Sequence, residues 1–159
     1  PSCTVPALVT DDGTVLTEVI GIYIYLEALY PEHPLLGSTA LERAQTISGC
    51  HHVFSGLMMS IASALRNRGK SFINRALPGP VDVPQIPDLV DRGILLINHI
   101  LPRLDDHLGN STWMAGDNFT VADIDLLVSI EFLSWIKQSI PDECSHLKAW
   151  YERATAQVA

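Results

Sequence analysis

Apolar residues recur at Val19, Ile22, Tyr23, Leu26 and Tyr30, one side of a 3.6-residue repeat. This predicts an amphipathic helix from Glu18 to Tyr30, stopped by Pro31 and Pro34. Ahead of it, the apolar stretches ending at Val9 and opening at Val15 flank Asp11, Asp12 and Gly13, the turn chemistry of a short hairpin. Beyond the prolines, Leu35 and Leu36 are expected to plug a linker back into the core. A long helix is predicted from about Thr39 to Asn67, with Phe54, Leu57, Met58, Ile61 and Leu65 forming a stripe too hydrophobic for solvent. Residues 69–87 hold two glycines and four prolines and read as a long loop, a kind of segment that is often mobile or functional. A further helix is predicted from Asp88 to Leu108, buried through Leu89, Ile94, Leu96, Ile97, Ile100, Leu101 and Leu104 and kinked at Pro102. From Val121 to Lys137 the pattern is apolar almost all round, as in a buried central helix, and a last helix is expected from about Asp142 to Gln157.

Composition narrows the class. An apolar content of 47% in 159 residues is that of a chain with a packed core. The formal net charge of -8 gives a field that repels phosphate backbones and anionic lipid, so neither nucleic acid nor a membrane surface is an expected partner. Cys3, Cys50 and Cys144 are an odd set without regular spacing, which suits a reducing compartment and points to the cytoplasm.

Several residues are candidates for chemistry. Val5-Pro6 stands at the entrance to the first strand, where a proline with access to a cis bond leaves the preceding backbone groups free for a ligand. Glu18 falls at the start of the first helix, whose unpaired N–H groups favour an anion. Thr120 and Asp123 have capping-box spacing, with Phe119 and Ile124 placed for a hydrophobic staple. Met58, Met59 and their neighbours are either core or the wall of a pocket for an apolar compound. Cys50, His51 and His52 are consecutive, and helical neighbours point about 100° apart, so no metal site is expected there. His51 or His52 facing a cleft is the alternative to a solvated surface. His99 and His107 beside Asp105 and Asp106 read as a charged helix end. Arg66 and Arg68 are either solvated C-terminal charges or contacts to an anionic substrate group.

Val5-Pro6, the Asp11-Asp12-Gly13 turn, Leu16-Thr17-Glu18, the helix exit at Tyr30-Pro31 and the segment Trp113 to Asp123 together resemble the cytosolic glutathione S-transferases. Pro1 resembles the proline of an Asn-Pro pair that precedes such a stretch. The resemblance implies an α/β plus all-α fold: residues 1–36 as the second half of a thioredoxin-like glutathione-binding domain, and residues 37–159 as the all-helical C-terminal domain. It implies that Val5, before a cis Pro6, pairs with the backbone of glutathione, and that Glu18 holds the γ-glutamyl end. Val19 stands where the family has a serine, so a backbone N–H replaces a hydroxyl donor, a difference of about 0.5–1.5 kcal/mol. The residue that activates the thiol lies, in the family, in a first strand-helix-strand unit to which nothing here corresponds. The chain is therefore expected to be incomplete as a folding unit.

The function so implied is a transferase whose co-substrate glutathione attacks an electrophilic, mainly apolar small molecule, by conjugation or by glutathione-assisted cis-trans isomerisation, in a pocket walled by His51, Phe54 and Met58. A homodimer is implied as well. The alternative from another class is a non-catalytic glutathione S-transferase-like binding or scaffold module.

Overall fold

The computed structural model describes residues 4–159, so Pro1 and Cys3 lie outside the described residues. The hairpin forms as β1 (Leu8–Val9) antiparallel to β2 (Val15–Leu16), with Leu8 opposite Leu16. Its turn is closed locally: the Thr10 hydroxyl and the Thr14 N–H both donate to Asp12, and Gly13 takes a φ of 84° that glycine adopts without a Cβ penalty. Those donors lower the Asp12 carboxyl to about 2.

The first helix, α1 (Val19–Leu29), is N-capped by the Glu18 backbone. Of the predicted stripe, Ile22 is buried and Tyr23 packs against the core together with Ile20, whereas Val19, Leu26 and Tyr30 remain exposed. The linker folds back onto this helix because the Glu27 carboxylate accepts from the Leu35 N–H at 2.8 Å and the Leu36 N–H at 3.0 Å. Only Leu36 plugs the core; Leu35 is half out, and its carbonyl instead takes the Val121 N–H at 3.0 Å.

The single helix expected from Thr39 to Asn67 is two helices joined by a wider turn. In α2 (Ala40–His52), Thr39 and Glu42 close a capping box, the Glu42 N–H donating to Thr39 Oγ1 at 3.1 Å and the Thr39 N–H to Glu42 Oε2 at 3.0 Å. A π-helical turn covers Val53–Met58, the Met59 N–H reaching the Phe54 carbonyl five residues back, and α3 (Met59–Arg68) follows. The extra residue re-phases the stripe. Leu57 and Ile61 are buried, Met58 and Leu65 are half-buried, and Phe54 and Met59 are exposed.

Helix α4 (Asp88–Leu108) packs closely along α3, where a Cβ on Gly93 would come within 2.6 Å of the Ser60 carbonyl oxygen. It runs on through Pro102, which lies on the exposed side, where the Asn98 carbonyl it leaves unbonded can meet water. Leu96, expected inside, is exposed.

Residues 69–87 are strapped to α3. The Arg66 guanidinium donates to the Ala76 carbonyl at 3.1 Å and the Arg75 carbonyl at 2.9 Å and lies over the Phe72 ring. The Gln85 amide donates to the Arg66 and Gly69 carbonyls, and the Ile86 N–H donates to Asn67. Arg66 is thus committed to this strap and not to a substrate anion.

The central helix α5 (Val121–Leu133) ends four residues earlier than expected, tightening into a 3-10 turn at Ser134–Ile136 that Lys137 stops in the left-handed region. The last helix, α6 (Ser145–Val158), begins after the expected Asp142; Asp105 accepts the Leu147 N–H of its first turn at 2.8 Å. Asp105 is therefore a helix-end acceptor, and His107 lies 3.1 Å from the Met114 carbonyl oxygen, so the two form no dyad.

Asp123 joins these parts. Fully buried, it accepts from the Met114 N–H and the Trp150 indole N–H, each at 2.9 Å, and from the Thr120 N–H and hydroxyl at 3.0 and 3.2 Å. Phe119 packs on the core edge-on to Trp113. Replacing Asp123 by Ala strands the Met114, Thr120 and Trp150 N–H donors and should lower unfolding stability by at least about 3 kcal/mol. Thr120→Ala removes only the hydroxyl and should lower it by about 0.5–2 kcal/mol. Urea midpoints of the two variants check the order, and equal midpoints would show that the indole and Met114 bonds carry nothing.

Candidate functional site

A cavity of about 660 Å³ opens where α1 meets α2, the π turn and α5. Each wall follows from a local feature of the chain. Glu18, an N-cap with extended backbone and no side-chain cap bond, lines the cavity beside Val19, Ile20 and Tyr23. The end of α2 and the π turn contribute Ile47, Cys50, His51, Val53, Phe54 and Met58. One side of α5 contributes Ile124, Asp125, Val128 and Ser129, while its other side, with Ala122, Leu126, Ile130 and Leu133, fills the core. The all-round apolar character of α5 is thus divided between a core and a cavity, which is why Val128 is exposed.

Of the residues singled out from the sequence, Glu18, Val19, His51, Phe54 and Met58 share this cavity. Val5 and Pro6 do not line it; they precede β1, joined by a cis peptide bond as anticipated, with Val5 92% exposed. Met59, read as a possible pocket wall, does not line the cavity, since it stands about 100° around the helix from Met58. The helical Cys50-His51-His52 run is dispersed: Cys50 is buried, His51 faces this cavity, and His52 faces a separate groove of about 840 Å³ between α2 and α4 that Ser48, Arg103 and His107 also line.

Sequence reasoning missed the polar floor. Tyr23 Oη donates to Asp125 Oδ1 at 2.8 Å, and the Cys50 thiol lies beside the same carboxyl group on the cavity wall. Burial pushes the Asp125 carboxyl above its ordinary 3.8, opposed by the bond from Tyr23 and by the neighbouring Cys50. Burial and the adjacent carboxylate push the Cys50 thiol up to about 12 and raise the Tyr23 phenol, so both are neutral at neutral pH. The signal that could have found this floor was a carboxylate on a helix otherwise apolar on every side. The arrangement can bind an apolar body against Phe54, Met58 and Val128 while presenting Glu18 and Asp125 to polar groups.

The family model for the glutathione S-transferase C-terminal domain matches residues 88–157. The chain is similar to glutathione S-transferase 2 of Saccharomyces cerevisiae, at 31% identity over 155 residues, covering 96% of this chain and 63% of that protein. It thus spans under two thirds of that relative's length. The crystal structure of a glutathione S-transferase domain-containing protein from Marinobacter aquaeolei superposes with a TM-score of 0.85 at 30% identity, over 97% of this chain and 73% of the other. That of Gtt2 from Saccharomyces cerevisiae gives 0.85 at 27% identity, over 98% and 75%. Among the described residues no helix is long and apolar enough to cross a membrane.

The raised Asp125 value has a pH consequence with a definite sign. The folded chain holds that proton more tightly than the unfolded chain, so its contribution to stability is present below the ordinary 3.8 and is lost as pH rises through the raised value. Asp125→Asn cannot ionise. The stability of the parent minus that of the variant should therefore fall as pH rises above about 4 in urea titrations. A difference that rises with pH would mean that the carboxylate is held as a favoured anion.

Proposed function

The chain belongs to the glutathione S-transferase family, and we propose that its cavity serves a reaction in which the glutathione thiolate attacks an electrophilic carbon of a mainly apolar small molecule. The carrying observation is that Glu18, His51, Phe54 and Met58 line one cavity. In this reading residues 1–36 belong to the glutathione-binding domain and residues 37–159 form the helical domain. The exposed Val5 backbone before Pro6 pairs with the peptide, Glu18 accepts its γ-glutamyl ammonium group, and the Val19 N–H stands in for the family's hydroxyl. In conjugation a carbon–sulfur bond forms as the carbon's bond to a leaving group breaks, or as a conjugated π bond breaks and its electron pair takes a proton, and the sulfur stays on the product. In isomerisation the same bond forms, rotation follows, and the bond breaks to return glutathione. The free, buried Cys50 and Cys144 support a reducing, cytoplasmic setting.

Calorimetry with glutathione and S-hexylglutathione tests this directly. S-hexylglutathione should bind the more tightly, and Glu18→Gln should weaken both by about tenfold, the worth of one charge-assisted hydrogen bond. Met58→Trp should remove only the advantage of the hexyl chain. Failure of both ligands to bind would leave the scaffold reading in its place. With an electrophile in hand, one glutathione consumed per product marks conjugation, and none consumed marks isomerisation.

We further propose that the chain pairs with itself across the α2 and α4 groove, next to which Met59, Leu95 and Leu96 leave apolar surface exposed on α3 and α4. Sedimentation velocity should give twice the chain mass, and Ser48→Trp, which fills the groove, should shift the population toward monomer. An unchanged distribution would place the contact elsewhere.

A further inference from the structure

The polar floor of the cavity is chemically one-sided. Tyr23, Cys50 and Asp125 come from three different helices and converge at the inner wall, with Ile47, Val53 and Val128 around them. Tyr23, which donates to Asp125, is neutral, and so is Cys50 beside it. The ion pairs found among the described residues join Asp105 to His146 and Asp142 to Lys148, and neither involves Asp125. The titratable groups facing the cavity from the packed helices are Glu18, Tyr23, Cys50, His51 and Asp125, so a carboxylate stands at the rim as well as at the floor.

A carboxylate has about four acceptor positions, and the Tyr23 hydroxyl accounts for one of them. Filling the cavity with a purely apolar compound strips water from the remainder and returns nothing, a desolvation cost that counts against such ligands. A compound that carries an ammonium group on an apolar body supplies both the counter-charge and the missing donors. Resting on the reading above that this cavity receives the apolar co-substrate, we propose that Asp125 is a specificity-determining residue and selects apolar compounds bearing an ammonium group. Tyr23 holds the carboxylate in place across the junction of α1 and α5, and the net charge of -8 favours the approach of cations.

The test is a fluorescence titration of the intact chain with dansylcadaverine, which ends in an ammonium group, and with N-hexyl dansylamide, which ends in a methyl group at the same reach. The ammonium probe should bind at least about tenfold tighter, as one charge-assisted contact implies. Asp125→Asn should abolish the gap, whereas Glu152→Gln, which removes one charge from the exposed side of α6, should preserve it. Equal affinities in the parent chain, or a gap that survives Asp125→Asn, would overturn the proposal while leaving S-hexylglutathione binding, and the functional reading, intact. If neither probe nor S-hexylglutathione binds, both fall together. Should Asp125→Asn lose its helical circular dichroism, competition on the parent chain decides: n-octylammonium should displace dansylcadaverine and 1-octanol should not, and equal displacement overturns the proposal.

Discussion

A buried carboxylate with no cation beside it governs this molecule. Asp123 is stable in the interior because four donors surround it, and they come from three places: the first turn of α5, the segment that precedes it, and the indole of Trp150 on α6. An isolated charge at that depth would be prohibitive, so these segments must arrive together. Fixing the start of α5 fixes the helix's rotation about its own axis. That rotation decides which side of α5 meets the core and which side walls the cavity.

Two carboxylates on α5 illustrate the point. Asp123 and Asp125 are two residues apart and hence about 200° apart around the helix. One turns inward to backbone and indole N–H groups. The other turns to the cavity, where a phenol and a thiol meet it. The same side-chain chemistry holds the core together at one position and lines the cavity at the other, and only the direction in which each points separates them.

What could be read in the sequence follows from how local its cause is. Helix α4 runs over the span its periodicity predicts, and the Thr120 to Asp123 bond is visible as spacing, since each depends on residues within a few positions. The cis bond at Pro6 was expected through resemblance to relatives, not through periodicity, whereas the cavity that Glu18 shares with His51, Phe54 and Met58 is a feature of the folded chain. The Arg66 strap was hidden because its partners are backbone carbonyls, which every residue has. Trp150 as a donor to Asp123 was hidden because 27 residues separate them. The polar floor was hidden because a tyrosine on an apolar stripe and an aspartate on an apolar helix each look like exceptions until they are brought within hydrogen-bonding distance.

The π turn between α2 and α3 acts as a phase shifter. A straight α-helix has one fixed relation between the faces at its two ends, yet here the first half must serve α5 and the cavity while the second half lies along α4. One additional residue in a single turn advances everything beyond it by about 100° around the axis. The two halves can therefore face different neighbours without a bend or a break in the rod. Removing one residue within Val53–Met58 would restore a continuous α-helical ladder and so look harmless to the backbone, but it would turn one half away from its partners. The length of that segment is constrained by the angle between two packing surfaces more than by any side chain it contains.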